Sequence, residues 1–164
     1  MLRGRKGTSL VELLISIAIL GVIMVPISTV LYQGFKNYYV ESDMLIATQR
    51  AREAMDKLIE DIRMNDSSNI SIEDSGKILN IVKDDPIKED LIYKLETIGG
   101  SNVLLRNTQN VFKPEENISI LEFKAQIQEK TADYDSQIIK VILSIIVGKS
   151  DPVTLEGSYR RKTG

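Results

Sequence analysis

The chain falls into three stretches by the spacing of its apolar residues. Residues 13–35 contain no charged side chain and form the most apolar part of the sequence. From residue 40 to about 65, apolar residues recur at intervals of three and four, which predicts an amphipathic helix. Beyond residue 77 the apolar period becomes two, which is typical of β-strands. We therefore expect a long helical segment followed by a sheet.

The apolar stretch has the length of a membrane-spanning helix. Its 23 residues would extend over about 35 Å as an α-helix, and the hydrocarbon core of a bilayer is about 30 Å thick. Basic residues Arg3, Arg5 and Lys6 precede it. Because basic flanks stay in the cytoplasm, we expect a single-pass helix with its N-terminus inside and everything after Lys36 outside.

Two simpler interpretations of this segment leave Glu12 without a reason. A secretory signal peptide has an apolar region of about 7 to 15 residues and a small-x-small cleavage site, whereas this run is longer and no such site follows it. A plain membrane anchor fits the length and the flanks. A carboxylate at the centre of a membrane helix costs about 2.5 to 3.5 kcal/mol, and less near an end. We therefore interpret Glu12 as a functional residue.

The helix is predicted to run from about residue 8 to 64, roughly 85 Å, and its outer half carries one mostly apolar stripe. The residues of the stripe are Met44, Thr48, Ala51, Met55, Leu58 and Ile62. Such a stripe is usually packed on a core, so we expect the outer half to lie on a globular domain. Gly21 and Pro26 interrupt the inner half, and Pro26 removes a backbone donor, which predicts a kink there.

The rest of the chain is predicted to form an antiparallel sheet, and the overall fold class is α+β. Residues 118–128 alternate, and we expect one face to be buried, consisting of Leu121, Phe123, Ala125 and Ile127. Residues 138–147 are nearly all apolar, which predicts a central strand buried on both sides. Weaker patterns predict further strands at 78–82, 91–97, 103–107 and 153–159. This sheet should pack against the outer half of the helix.

Composition lowers the expectation of catalysis. The 164 residues include no Cys and no His, which excludes disulfides, cysteine nucleophiles and the commonest general base. No phosphate-binding loop motif occurs, and the pairs Asp84-Asp85 and Asp133-x-Asp135 lack the spacing of a calcium loop. We expect no catalytic, cofactor or metal site. The basic tail Arg160-Arg161-Lys162 is too small to predict nucleic-acid binding, so DNA as a partner is possible but unsupported.

Residues 6–14, with the sequence KGTSLVELL, resemble the prepilin-type leader of type IV pilins and type II secretion pseudopilins. In that family a short basic leader ends in Gly, a membrane peptidase cuts after it, the new first residue is N-methylated, and the fifth is Glu. The resemblance implies cleavage between Gly7 and Thr8, methylation of Thr8, and a filament-assembly role for Glu12. The family usually has Phe where Thr8 stands.

The resemblance implies an organisation, a location and a set of partners. The implied parts are a leader (1–7), a transmembrane and filament-core helix (8–35), an amphipathic helix (36–65) and an extracellular β-rich domain (66–164). Such a subunit is held by lipid in the cytoplasmic membrane and then polymerised into a cell-surface filament. Its partners would be other pilin or pseudopilin subunits, the prepilin peptidase and the inner-membrane assembly platform. Glu12 would pair with the N-terminal amine of a neighbouring subunit.

The resemblance favours a minor pilin or pseudopilin and leaves its use open between a pilus, a secretion pseudopilus and a competence filament. An alternative from another class is a membrane-tethered extracellular binding or sensing domain that does not polymerise. That alternative keeps the topology but makes Gly7 and Glu12 irrelevant.

Overall fold

The computed structural model describes residues 9–65, 69–83, 89–113, 117–128 and 136–162. One long helix, α1 (Leu10–Met64), is followed by strands and by one short 3-10 turn at Asp74–Gly76. The strands are β1 (Asn69–Glu73), β2 (Ile78–Val82), β3 (Leu91–Ile98), β4 (Ser101–Arg106), β5 (Gln109–Asn110), β6 (Ile118–Gln128), β7 (Ser136–Val147) and β8 (Val153–Lys162).

The chain forms two compact units that divide after Tyr39, within α1. The first unit contains the inner half of α1, which we define as residues 10–39. The second unit contains the outer half, residues 40–64, and all the strands. The predicted bounds at residues 7, 35 and 65 stay predictions.

The second unit confirms the α+β prediction. Its strands form two antiparallel sheets, one of five strands in the order β1-β2-β3-β4-β5 and one of three in the order β6-β7-β8. The outer half of α1 packs on these sheets, and its buried face consists of Ala47, Ala51, Ala54, Met55, Leu58 and Ile62.

The helix lies close to the strands because its buried face contains alanines, whose side chains are small. Met44 was predicted to belong to this face, but it is 46% exposed. The predicted Ala51 is buried, and Ala47, which was not predicted, is buried one turn before it. Alanines let a helix backbone approach a sheet closely. At the crossing with β8, a Cβ added to Gly157 would lie 2.7 Å from the sulfur of Met55. Any larger residue there would require the Met55 side chain to shift.

Strand β6 contains a bulge that corrects one prediction. Ile120 and Glu122 pair with adjacent residues of β7, so Leu121 between them has no partner in the ladder. Leu121 is 51% exposed, and its predicted place on the buried face was therefore wrong. Because the bulge shifts the alternation by one residue, Ile120 before it and Phe123 and Ala125 after it all face the core.

Strand β7 is central in its sheet, as predicted. One of its faces is fully buried and consists of Ile139, Val141, Leu143, Ile145 and Val147. The other face, which includes Ile138, Ile142 and Ile146, is only partly buried. The near-continuous apolar sequence thus reflects one complete core face and one half-covered face.

A polar cluster joins the end of α1 to the five-stranded sheet. The guanidinium of Arg106 donates to both carboxylate oxygens of Asp61, at 2.8 and 3.2 Å, and the Tyr93 hydroxyl donates to Asp61 at 2.6 Å. Burial tends to raise the pKa of Asp61, but the hydrogen bonds from Arg106 and Tyr93 outweigh it, so that the pKa is lowered. Burial, followed by the bond to Asp61, raises the pKa of Tyr93.

Candidate functional site

The first turn of α1 gives Glu12 a local hydrogen-bonding partner. Ser9 immediately precedes the helix, and its backbone N–H donates to Oε2 of Glu12 at 3.0 Å. The helical ladder then begins with the N–H of Leu13 donating to the carbonyl of Ser9 at 3.1 Å. Glu12 therefore satisfies one of the unpaired donors at the helix start and lies at the positive end of the helix dipole.

Sequence reasoning missed this interaction, although a signal was present. Ser9 and Glu12 have the S-x-x-E spacing of a capping box, in which an acid in the first turn reaches back to the residue before the helix. The spacing explains why an acid suits this position in a single chain.

The hydrogen bond from Ser9 is the one contact to the Glu12 carboxylate that the described residues supply. Glu12 is exposed and lies beside large apolar side chains that are exposed as well, such as Leu10 at 75% and Leu13 at 59%. Across the described parts of the chain, no basic side chain pairs with this carboxylate, and its second oxygen accepts no hydrogen bond. Gly7 and Thr8 lie outside the described residues, so cleavage and methylation stay predictions.

The inner half of α1 has an apolar surface on all sides. Its most apolar 18-residue window has a mean hydropathy of 2.7, and none of that window is buried. By length and composition, α1 can cross a membrane. No described part of the protein covers the window.

Aromatic side chains mark the end of the apolar surface. Tyr32, Phe35, Tyr38 and Tyr39 are all more than 60% exposed, and the rings of Tyr38 and Tyr39 meet edge to face with centroids 6.0 Å apart. Tyrosines are enriched where a membrane helix meets the interface. The aromatic cluster, which sequence reasoning did not use, is consistent with a membrane boundary near Lys36.

The helix is unbroken at the two predicted kink positions. Helical structure continues through both Gly21 and Pro26. Pro26 has no N–H, so the carbonyl of Val22 lacks its usual donor. A Cβ on Gly21 would meet nothing within 4 Å, so packing within this chain does not require glycine there. A kink at these positions stays a prediction.

The remaining sequence candidates do not come together as a site. No group of three or more metal-binding side chains occurs within the described residues, and Asp84-Asp85 and Asp133-x-Asp135 lie outside them. Consecutive residues of a strand point to opposite faces, so Arg160 and Arg161 do not share one surface. The Nε of Arg161 is buried and has no hydrogen-bond partner in the described structure.

Comparison with known proteins finds one match. Residues 2–28 match the family model described as a prokaryotic N-terminal methylation motif, which is the prepilin-type leader of type IV pilins and pseudopilins. No curated protein and no solved structure matches the chain. The predicted leader resemblance is confirmed, and the motif points to a structural subunit of pilin-like type.

Proposed function

We propose that the protein is a minor pilin or pseudopilin that is cleaved after Gly7 and assembled into a type IV pilus-like filament through the inner half of α1. The observation that carries the proposal is a helix that is apolar on every side and has one carboxylate, Glu12, at its start, with no basic partner among the residues that the structure describes. Glu12 and the helix as far as residue 28 lie within the segment that matches the methylation motif.

The apolar surface explains both stages of the proposed life cycle. Before assembly, lipid covers the inner half of α1, with Arg3, Arg5 and Lys6 on the cytoplasmic side and the second unit outside. After assembly, the same surface packs against other subunits. Because lipid tails are as apolar as leucine, burial alone gives little preference for the filament over the membrane. Polar contacts must then set the arrangement of the subunits.

Glu12 supplies such a contact. Cleavage after Gly7 would create an ammonium group at Thr8. Oε2 of Glu12 already accepts the N–H of Ser9, which leaves the other oxygen to accept from the ammonium of a neighbouring subunit. Either charge alone would be strongly unfavourable in an apolar bundle, whereas the pair is compensated. The contact would therefore fix the axial register of adjacent subunits.

Intact mass distinguishes this function from a membrane tether. Protein purified from native membranes should lack residues 1–7 when the prepilin peptidase is present, with or without an added methyl group. In cells without the peptidase it should keep them. A chain that begins at Met1 under both conditions would contradict the proposal and favour a tethered domain.

A Glu12→Gln variant tests the register contact by itself. Glutamine also fits the capping box, so its amide oxygen can still accept the N–H of Ser9 while the negative charge is lost. We expect cleavage to persist and incorporation into filaments to fall about tenfold or more, equivalent to about 1.4 kcal/mol. Glu41→Gln, an exposed change in the second unit, is the control. Incorporation of Glu12→Gln at the control level would contradict the role of the charge.

A further inference from the structure

The two sheets have four outer strands, and three of them are poorly suited to pair with another chain. Strand β1 has five residues and β5 has two. Strand β6 is interrupted by the bulge at Leu121 and is joined to β4, because the side-chain amide of Asn102 donates to the Ile120 carbonyl at 3.1 Å. Short and bulged edges resist strand addition.

The fourth outer strand, β8, has a long and regular edge. It pairs with β7 over ten residues without a register shift, and no described strand lies on its other side. Near its end, the exposed basic residue Arg160 protects that part of the edge. In the first part, residues 153–158, the only charged side chain is Glu156, which pairs with Lys140 at 2.5 Å. This part of the edge is unprotected.

A groove of about 560 Å³ lies between the unprotected part of β8 and α1. Met55 and Ile59 give it an apolar wall against Gly157. The lining is completed by two acids of α1 and by Arg63, Glu156 and Ser158. Two carboxylates, Asp56 and Glu60, stand along the groove one helical turn apart. Like charges at this spacing disfavour each other, and neither forms an ion pair with any residue that the structure describes. A basic side chain placed between them would remove the repulsion.

We propose that the edge of β8 is a strand-addition site for an extended segment of another protein that carries a Lys or Arg. The segment would form backbone hydrogen bonds with residues 153–158 and place its basic side chain between Asp56 and Glu60. The site lies entirely in the second unit. It is therefore independent of filament assembly through the inner half of α1.

A second copy of this chain fits the site less well. Two copies that pair antiparallel through β8 would point the outer halves of their α1 helices in opposite directions. Copies anchored in one membrane share one direction. The groove is lined by three carboxylates, Asp56, Glu60 and Glu156, and by one basic side chain, Arg63. This excess of negative charge favours a basic segment, so we assign the edge to a different protein.

The test uses the full chain in detergent micelles and a synthetic peptide of about eight residues, close to a typical strand length. The peptide alternates threonine and valine and carries a central lysine; a matched peptide has glutamate instead. We expect the lysine peptide to bind at least about fivefold more tightly by fluorescence anisotropy. It should also slow amide hydrogen exchange in residues 153–158.

Variants of the two acids test whether the preference for the lysine peptide comes from the groove. The double change Asp56→Asn and Glu60→Gln should remove the difference between the two peptides, whereas the control Glu41→Gln should keep it. The proposal is overturned if neither peptide slows exchange in β8, or if the double variant keeps the full preference. It is also overturned if exchange slows without peptide as protein concentration rises, because a second copy would then occupy the edge.

Discussion

The two halves of α1 share one backbone conformation and differ in what covers their side chains. In the outer half, Leu58 is 2% exposed and Ala51 is fully buried against the sheets. In the inner half, every large apolar residue from Leu10 onward is about half exposed or more. Both halves are helical, although Pro26 removes one hydrogen bond from the inner half. Within the described residues, only the outer half obtains its apolar contacts from the strands.

The composition of each half fits this difference. The outer half confines apolar residues to one face and uses alanines where the backbone approaches the sheets. The inner half carries Leu, Ile and Val on all sides. A helix that is apolar all round belongs in a membrane or a large core, whereas a one-sided helix belongs on a domain surface. The comparison therefore separates the part of α1 that packs on the domain from the part whose apolar surface the described residues leave uncovered.

Truncating one leucine in each half of α1 should show the largest difference in the free energy of unfolding. Leu58→Ala removes a buried side chain and should lower the free energy of unfolding of the second unit by about 2 to 5 kcal/mol. Leu20→Ala removes one that is 56% exposed and should leave it unchanged. Urea unfolding of the full chain in micelles, followed by tyrosine fluorescence, measures both. Equal effects would contradict the separation of the two halves.

Replacing one alanine by leucine in each half should give a smaller difference in the free energy of unfolding. Ala51 has no exposed surface, so Ala51→Leu overpacks the helix–sheet contact and should cost about 1 to 3 kcal/mol. Ala18 is exposed in the inner half, and Ala18→Leu should not change unfolding of the second unit. The same urea experiment applies. A neutral Ala51→Leu would show that the helix can move away from the sheets without loss.

The polar anchor of the outer half should make stability depend on pH. Asp61→Asn leaves Arg106 and Tyr93 without a charged acceptor and should cost about 1 to 3 kcal/mol at neutral pH. The pKa of Asp61 is lowered in the folded state from its ordinary value of 3.8. Below pH 3.8 the unfolded state therefore binds more protons, and the contribution of Asp61 is lost as the pH falls towards the folded pKa.

Unfolding midpoints measured between neutral and acid pH check this sign. The wild-type chain should lose more stability than Asp61→Asn as the pH drops below 3.8, and the two curves should converge. Parallel curves would exclude Asp61 as a source of the acid sensitivity.

The smallest expected effect comes from the exposed side of the outer half. Glu53 pairs with Arg50 at 2.8 Å, and the hydrogen bonds from Arg50 and Gln49 lower its pKa. Solvent screens such pairs, so Glu53→Gln should not measurably shift the urea midpoint. A clear shift would mean that the outer half depends on both of its faces, which would weaken the contrast with the inner half.

Local patterns predicted most of the fold. The bounds of β2 and β6 agree with the predicted 78–82 and 118–128, because both segments alternate or are apolar throughout. Strand β1 was not predicted, since only Ile70 and Ile72 interrupt its polar sequence. Strand β5 has two residues, too few to show a period.

Features that depend on distant partners were not predictable from spacing. The bulge at Leu121 is defined by how β6 pairs with β7. In the polar cluster, Asp61 is separated along the sequence from Tyr93 by 32 positions and from Arg106 by 45 positions. For the candidate site, the motif pointed to Glu12 in the first turn, and the Ser9–Glu12 spacing also contained the cap. Pairing of Glu12 with a neighbour involves a second chain, which one sequence does not specify.

The bulge in β6 means that the strand is one residue longer than its ladder needs. If Leu121 were deleted, Ile120 and Glu122 would become adjacent, matching their adjacent partners on β7. Every other side chain of β6 would keep its present side. A deletion elsewhere in a regular part of the strand would turn over all residues on one side of it. At Leu121 the strand can therefore lose a residue while its buried side chains stay buried and its exposed side chains stay exposed.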